Sequence, residues 1–148
     1  MKRNSPGQEK AARILKAQKF GVLATAGEKS PYTSLVGCAV SPDLKQLVFA
    51  TLRDTSKFRN MRGNPYVALL FDDRKNRGDD LDKASALTVL GRARETHKAE
   101  RENLLRIFLK RHPRLAGFCT EPGCALIAVK VKKYILTRRF QETSAWCP

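Results

Sequence analysis

The distribution of apolar and polar residues divides the chain into short elements joined by brief turns. Ser5-Pro6-Gly7-Gln8 sets serine at an N-cap, proline at N1 and glutamine at N3. That capping-box pattern predicts a helix to about Lys19, with Ile14 and Leu15 on its inner face. GVLATA from Gly21 has strand composition, Gly27-Glu28-Lys29 supplies a turn, and a second strand is expected from about Tyr32 to Val40. Ser41-Pro42-Asp43 is a turn with proline at its second position, after which Gln46 to Thr51 resumes as a strand. These connections are too short for parallel crossovers, so the first three strands are expected to form an antiparallel meander. Asp54 or Thr55 can cap a short helix running through Arg62, Gly63-Asn64 ends it, and Pro65 precedes a strand from Tyr66 to Phe71.

DDRKNRGDDLDK, from Asp72 to Lys83, is nearly devoid of apolar side chains and reads as a surface loop without the spacing of a calcium motif. Ala84 to Glu95 follows as a long strand in which Gly91 marks a bulge or bend. Leu104, Leu105, Phe108 and Leu109 give Lys98–His112 a helical stripe that Pro113 stops. In ALIAVKVKKYIL, Val129 and Val131 alternate with Lys130 and Lys132, predicting a strand with one buried face and one wet face. About six antiparallel strands with two or three helices indicate a mainly β fold, a closed or nearly closed barrel with flanking helices.

A chain of 148 residues fits one domain spanning residues 1–148. No apolar run reaches the length of a membrane span and the N-terminus lacks a signal-peptide core, so the expected address is cytoplasmic, without a membrane. Cys38, Cys119, Cys124 and Cys147 have no zinc spacing and read as incidental or structural thiols; no metal site is expected. His97 and His112 are expected at the surface. The formal charge of +15 attracts anions of any kind. Its basic residues are dispersed and no stacking-aromatic array accompanies them, which argues against a dedicated nucleic-acid face.

One stretch carries candidate chemistry. In LVFATLRDTSKFRNMRGNPYVALLF, from Leu47 to Phe71, the residues Thr51, Arg53, Thr55, Ser56, Lys57 and Arg59 surround a predicted helix start with hydroxyls and cations. Unpaired N–H groups and the helix dipole favour an anion there, and Lys57 beside two hydroxyl residues suits a charge-assisted bond to phosphate.

GVLATAG, SPYTSLVGCAVSPDLKQLVFAT, DTSKFRNMRGNPYVALLFDD and ALTVLGRARE, in that order from Phe20 to Glu95, resemble the pyridoxamine 5′-phosphate oxidase-like family of FMN-binding split β-barrels. The resemblance implies a homodimer with FMN in clefts at the subunit interface. It implies that Ala50 and Thr51 pass beside the flavin, that Thr55, Ser56 and Lys57 bind its phosphate, and that Asn60 adds a polar contact. Tyr32, Thr33, Ser34 and Leu35 match the strand lining the ring, Leu87 and Thr88 match another strand at the site, and Trp146 closes the ring site from a partner subunit or anchors the C-terminus. Relatives of this fold use a deazaflavin or haem in place of FMN; deazaflavin stays open as an alternative, whereas haem lacks a placed histidine.

The chain departs from the family's pyridoxamine-phosphate oxidising members. Tyr32 and Gly37 stand where those enzymes carry arginine and a substrate-contacting lysine, no glutamine lies near Ala86, and Arg138-Arg139-Phe140-Gln141 holds no histidine. The resemblance therefore implies an FMN-dependent oxidoreductase whose substrate is not pyridoxamine phosphate, its redox chemistry carried by the flavin with no catalytic side chain named. A flavin-binding protein that transfers electrons or senses redox state is the alternative.

Overall fold

In the computed structural model, which describes residues 3–148, the strand-forming segments join into one eight-stranded antiparallel sheet. Its members are β1 (Phe20–Ala26), β2 (Pro31–Gly37), β3 (Ala39–Val40), β4 (Gln46–Leu52), β5 (Tyr66–Asp72), β6 (Ser85–Glu95), β7 (Cys124–Arg138) and β8 (Glu142–Trp146). The helices are α1 (Pro6–Ala17), α2 (Ser56–Gly63), α3 (Asp80–Lys83), α4 (Lys98–Arg111) and α5 (Ala116–Thr120). The hydrogen-bonded order is β2-β1-β5-β6-β7-β4-β3, and β8 adds to the half of β7 that β4 leaves free.

β2 and β3 stand at opposite ends of that order, yet Cys38 alone separates them in sequence. The sheet must therefore curl until its two ends meet, which makes a split barrel. At the seam Cys38 leaves the β ladder and its N–H donates to the carbonyl of Lys19 (2.9 Å). The expected single strand from Tyr32 to Val40 is thus two strands, and the expected meander is two hairpins, β1–β2 and β3–β4, that sit at different ends of the sheet.

The sheet has a core on each side. Leu23, Phe49, Leu69, Leu87, Val89 and Leu136 are fully buried inside the barrel, where Ile14 and Leu15 of α1 pack against them. Outside, Ala39, Val48, Leu126 and Ala128 meet Leu104 and Phe108 of α4 and Cys119 of α5. The first half of β7, Cys124 to Val129, is consequently buried on both faces, and the expected alternation begins only at Lys130. A strand covered on both faces reads as a continuous apolar run.

His112 corrects the expectation of a surface histidine. It is buried, its ring packs 5.0 Å from that of Phe108, and Nε2 lies 2.9 Å from the carbonyl oxygen of Cys38. Beside it, the Arg111 guanidinium donates to the carbonyls of Lys16 (2.8 Å) and Gln18 (2.9 Å) at the end of α1. The end of α4 therefore fastens both the seam and the end of α1. His97 precedes α4 and is exposed.

Local signals hold at several ends. Ser5 Oγ accepts the Gln8 N–H (3.3 Å) and the Gln8 side chain accepts the Ser5 N–H (2.8 Å), completing the capping box. Leu44 N–H donates to Ser41 O (2.9 Å) across the proline turn. The Asp72–Lys83 loop contains the helical turn α3, because the Asp80 carboxylate accepts the N–H groups of Lys75 and Arg77.

The β6–β7 register slips between Leu90 and Gly91. A Cβ at Gly91 would stand 2.6 Å from the carbonyl oxygen of Lys130 and 2.6 Å from Val129 Cγ1. Gly91→Ala is expected to destabilise the fold by about 1–3 kcal/mol, the usual cost of overpacking, and an unchanged urea midpoint would contradict this.

Candidate functional site

The candidate cradle begins where β4 leaves the sheet. Thr55 is the N-cap of α2: its hydroxyl accepts the Phe58 N–H (3.3 Å) and donates to Leu52 O (2.9 Å), while Thr51 Oγ1 lies 3.2 Å from Thr55 Oγ1. Thr51 is buried and Ser56 and Lys57 are half-buried. Phe58 and Met61 bury one face of α2 in the barrel core. The helix cannot rotate without exposing them, so its polar flanks are fixed.

On one flank, Asn60 Nδ2 donates to Thr25 Oγ1 (3.0 Å), tying α2 to β1. Thr25 Oγ1 in turn lies 3.5 Å from the carbonyl oxygen of Tyr32 on β2. Tyr32 and Ser34 face the same side of the sheet as Thr25 and Leu23, their register partners. The Ser34 hydroxyl oxygen is buried and has no hydrogen-bond partner among the described residues. Thr33 and Leu35 point to the outer face, where Leu35 is 70% exposed.

Among the three cations proposed from sequence, the structure separates roles. Arg53 turns away, its Nε donating to Glu95 (2.9 Å) and its Nη1 to Pro122 O (2.9 Å). Arg59 reaches Asp54 (3.3 Å) and Ser56 Oγ (3.4 Å). Lys57 forms no salt bridge with any described residue, and it stands beside the N–H groups of Ser56 and Lys57 that the first helical turn leaves free. A lysine ammonium without an ion-pair partner among the described residues, beside free N–H donors, fits a phosphate-bearing ligand.

The other predicted residues do not join this cluster within one chain. Ala50 directs its side chain into the core beneath α4. Leu87 is fully buried in the barrel and Thr88 lies on the outer face. Both lie on β6, two strands from β1: Ala24, next to Thr25, is in register with Ala68 and Leu90, and Leu87 and Thr88 come two or three residues before Leu90. Trp146 stacks on Tyr134 (ring centroids 5.6 Å apart), whose hydroxyl donates to Leu44 O (2.7 Å) at the opposite end of β4 from the cradle. Trp146 thus anchors the C-terminal strand.

Thr25 and Glu95 were not legible as site residues, because their partners Asn60 and Arg53 lie 35 and 42 positions away in sequence. The thiols offer little chemistry here: burial pushes Cys38 up to about 12 and Cys119 up to about 11. All four cysteines are free and only Cys147 is exposed. Among the described residues no cluster of histidine, cysteine or carboxylate side chains could hold a metal, and no helix is long and apolar enough to cross a membrane.

A sheet split at Cys38, with a helix start presenting anion donors at one end, defines a split-barrel protein. The sequence profile of the pyridoxamine 5′-phosphate oxidase family matches residues 8–147, and the chain belongs to that family. No curated protein matches the chain significantly. Among solved structures, a heme binding protein from Mycobacterium smegmatis superposes with a TM-score of 0.83 at 17% identity, covering 99% of this chain and 60% of that one. The chain therefore spans about 60% of that protein's length. A FAD-binding protein from Mesorhizobium loti gives a TM-score of 0.69 at 17% identity, covering 93% of this chain and 90% of that one. The General Stress Protein 26 of Bacillus anthracis gives 0.65 at 22% identity, covering 93% and 97%. At these identities the likeness is one of fold.

Thr55→Ala removes the α2 cap and is expected to cost about 1 kcal/mol of stability, read from the urea midpoint. Thr55→Ser should restore most of it, and an unaffected Thr55→Ala variant would show that the tertiary packing of α2 makes its cap redundant.

Proposed function

We propose that this chain is an FMN-dependent oxidoreductase acting as a homodimer on a substrate other than pyridoxamine phosphate. The observation that carries the reading is Lys57: a half-buried lysine whose ammonium has no ion-pair partner among the described residues, at a helix start with free N–H donors. Family membership and the described FAD binding of the Mesorhizobium loti neighbour support a flavin as the owner of the phosphate.

In this reading the backbone N–H groups of Ser56 and Lys57 and the Lys57 ammonium bind the phosphate, while Thr51 and Thr55 hold the helix start rigid. The Asn60–Thr25 bond fixes the gap between α2 and β1. The bound flavin supplies the redox chemistry, exchanging electrons between a donor and an acceptor. Flavin suits these residues better than haem, since His112 is buried against Cys38 and no cradle residue is a histidine.

A substrate other than pyridoxamine phosphate agrees with the surroundings of Gly37. A Cβ there would lie 3.3 Å from the His112 ring, so the buried histidine occupies the space above the position where the family's oxidising members carry lysine. The homodimer is supported by exposed apolar residues on the outer face of the sheet. Leu35 and Leu70 both pair with Val22 there, and Leu70 in turn pairs with Thr88.

The absorption spectrum of the purified protein and titration with FMN test the cofactor. Flavin bands or saturable FMN binding are expected, and a colourless protein that fails to bind added FMN overturns the reading. Lys57→Ala should lose about 1.5–3 kcal/mol of FMN affinity through loss of a charge-assisted bond, measured by quenching of flavin fluorescence. Leu70→Glu should shift the chain from dimer to monomer in sedimentation, and a dimer that persists would place the interface elsewhere.

A further inference from the structure

A concavity lies on the flank of α2 opposite Asn60, where the helix faces the end of β6 and Ile127 of β7. It has a volume of about 450 Å³, within the range of small-molecule sites. Its floor is apolar and buried, built from Phe58, Met61 and Ile127. Arg53, Arg62 and Arg94 stand around it. Helical geometry sets it apart from the cradle: Arg62 follows Asn60 by two residues, about 200° around the helix, so when Asn60 faces Thr25 on β1, Arg62 faces β6.

The charges of this cleft are arranged unequally. Arg53 is held by Glu95 and by Pro122 O, and Arg94 is paired with Glu100. Arg62 forms no salt bridge with any described residue. Three guanidinium groups against the carboxylates of Glu95 and Glu100 leave one positive charge in excess, that of Arg62. An apolar floor of one aromatic ring, one thioether and one branched side chain, beside a single uncompensated guanidinium, matches a ligand with a flat apolar body and one negative charge.

We propose that this cleft is a binding site for an aromatic monoanion, independent of the phosphate cradle. The ring of the ligand lies over Phe58 and Met61, and its carboxylate or sulfonate pairs with Arg62. The paired arginines, Arg53 and Arg94, are already fixed by their carboxylates and shape the walls.

The probe is 8-anilino-1-naphthalenesulfonate, titrated into the full chain with fluorescence and methyl NMR as readouts. The sequence contains two methionines, Met1 and Met61, so the Met61 methyl resonance can be followed directly. Saturable binding with a ring-current shift at Met61 is expected. Arg62→Gln should raise the Kd about tenfold, roughly the effect of removing one charge-assisted bond, and Arg62→Lys should recover part of that loss. Arg62 is exposed, so these variants are expected to keep the wild-type circular dichroism spectrum. Lys57→Gln, on the other flank, should leave the Kd unchanged. Three results overturn the proposal: an unshifted Met61 methyl at saturation, an Arg62→Gln affinity equal to wild type, or equal weakening by Lys57→Gln. The first two place the probe on the outer apolar face, and the third reduces the effect to overall charge.

Discussion

The burial of Phe58 and Met61 beneath α2 is the contact on which both polar sites depend. Each side chain is worth about 1.5–3 kcal/mol when taken from water, enough to hold an eight-residue helix that would not form alone in water. With that face inward, Ser56 and Asn60 look toward β1 and β2 while Arg62 looks toward β6. A short amphipathic helix at the end of a barrel thereby presents donors on two sides. The Asn60–Thr25 bond and the Thr55 cap lock its position along and around its axis.

The curl of the sheet supplies the rest of the frame. Because β2 and β3 are adjacent in sequence and terminal in the sheet order, closing the barrel brings β2 near α2 and the start of β1 near the end of α4. Arg111 and His112 fasten that closure, at carbonyls of α1 and of Cys38. The covering of β4 and β7 by α4 and α5 leaves the remaining outer face, with Leu35, Leu70 and Leu90, without a helix. An apolar sheet face of this kind is where a second sheet packs well.

The charge of the chain is organised more finely than its sum of +15 suggests. Arg53 and Arg94 are matched to carboxylates, Lys10 is matched to Asp73 at 2.6 Å, and Arg59 leans on Asp54. Lys57 and Arg62, on opposite flanks of one helix, have no ion-pair partner among the described residues. Paired surface charges contribute little net stability, whereas an unpaired cation beside preorganised donors or a dry floor retains its attraction for an incoming anion.

Features governed by neighbours in sequence were legible there: the Ser5 capping box, the Ser41–Leu44 turn, the Thr55 cap, the Gly91 bulge and the polar run TSK at a helix start. Each is set by residues within a turn or two of one another, where propensity and spacing act directly. What depended on contacts between distant residues was decided by the tertiary structure. The break at Cys38 and the two edge hairpins follow from the closure of the sheet, and β8, too short and polar to show a period, exists because half of β7 offered it an edge. The burial of His112, the capture of Arg53 by Glu95 and the placement of Trp146 at the far end of β4 from the cradle have the same origin. A local pattern can specify that a helix starts with anion donors; only the packing of Phe58 and Met61 decides which way those donors face.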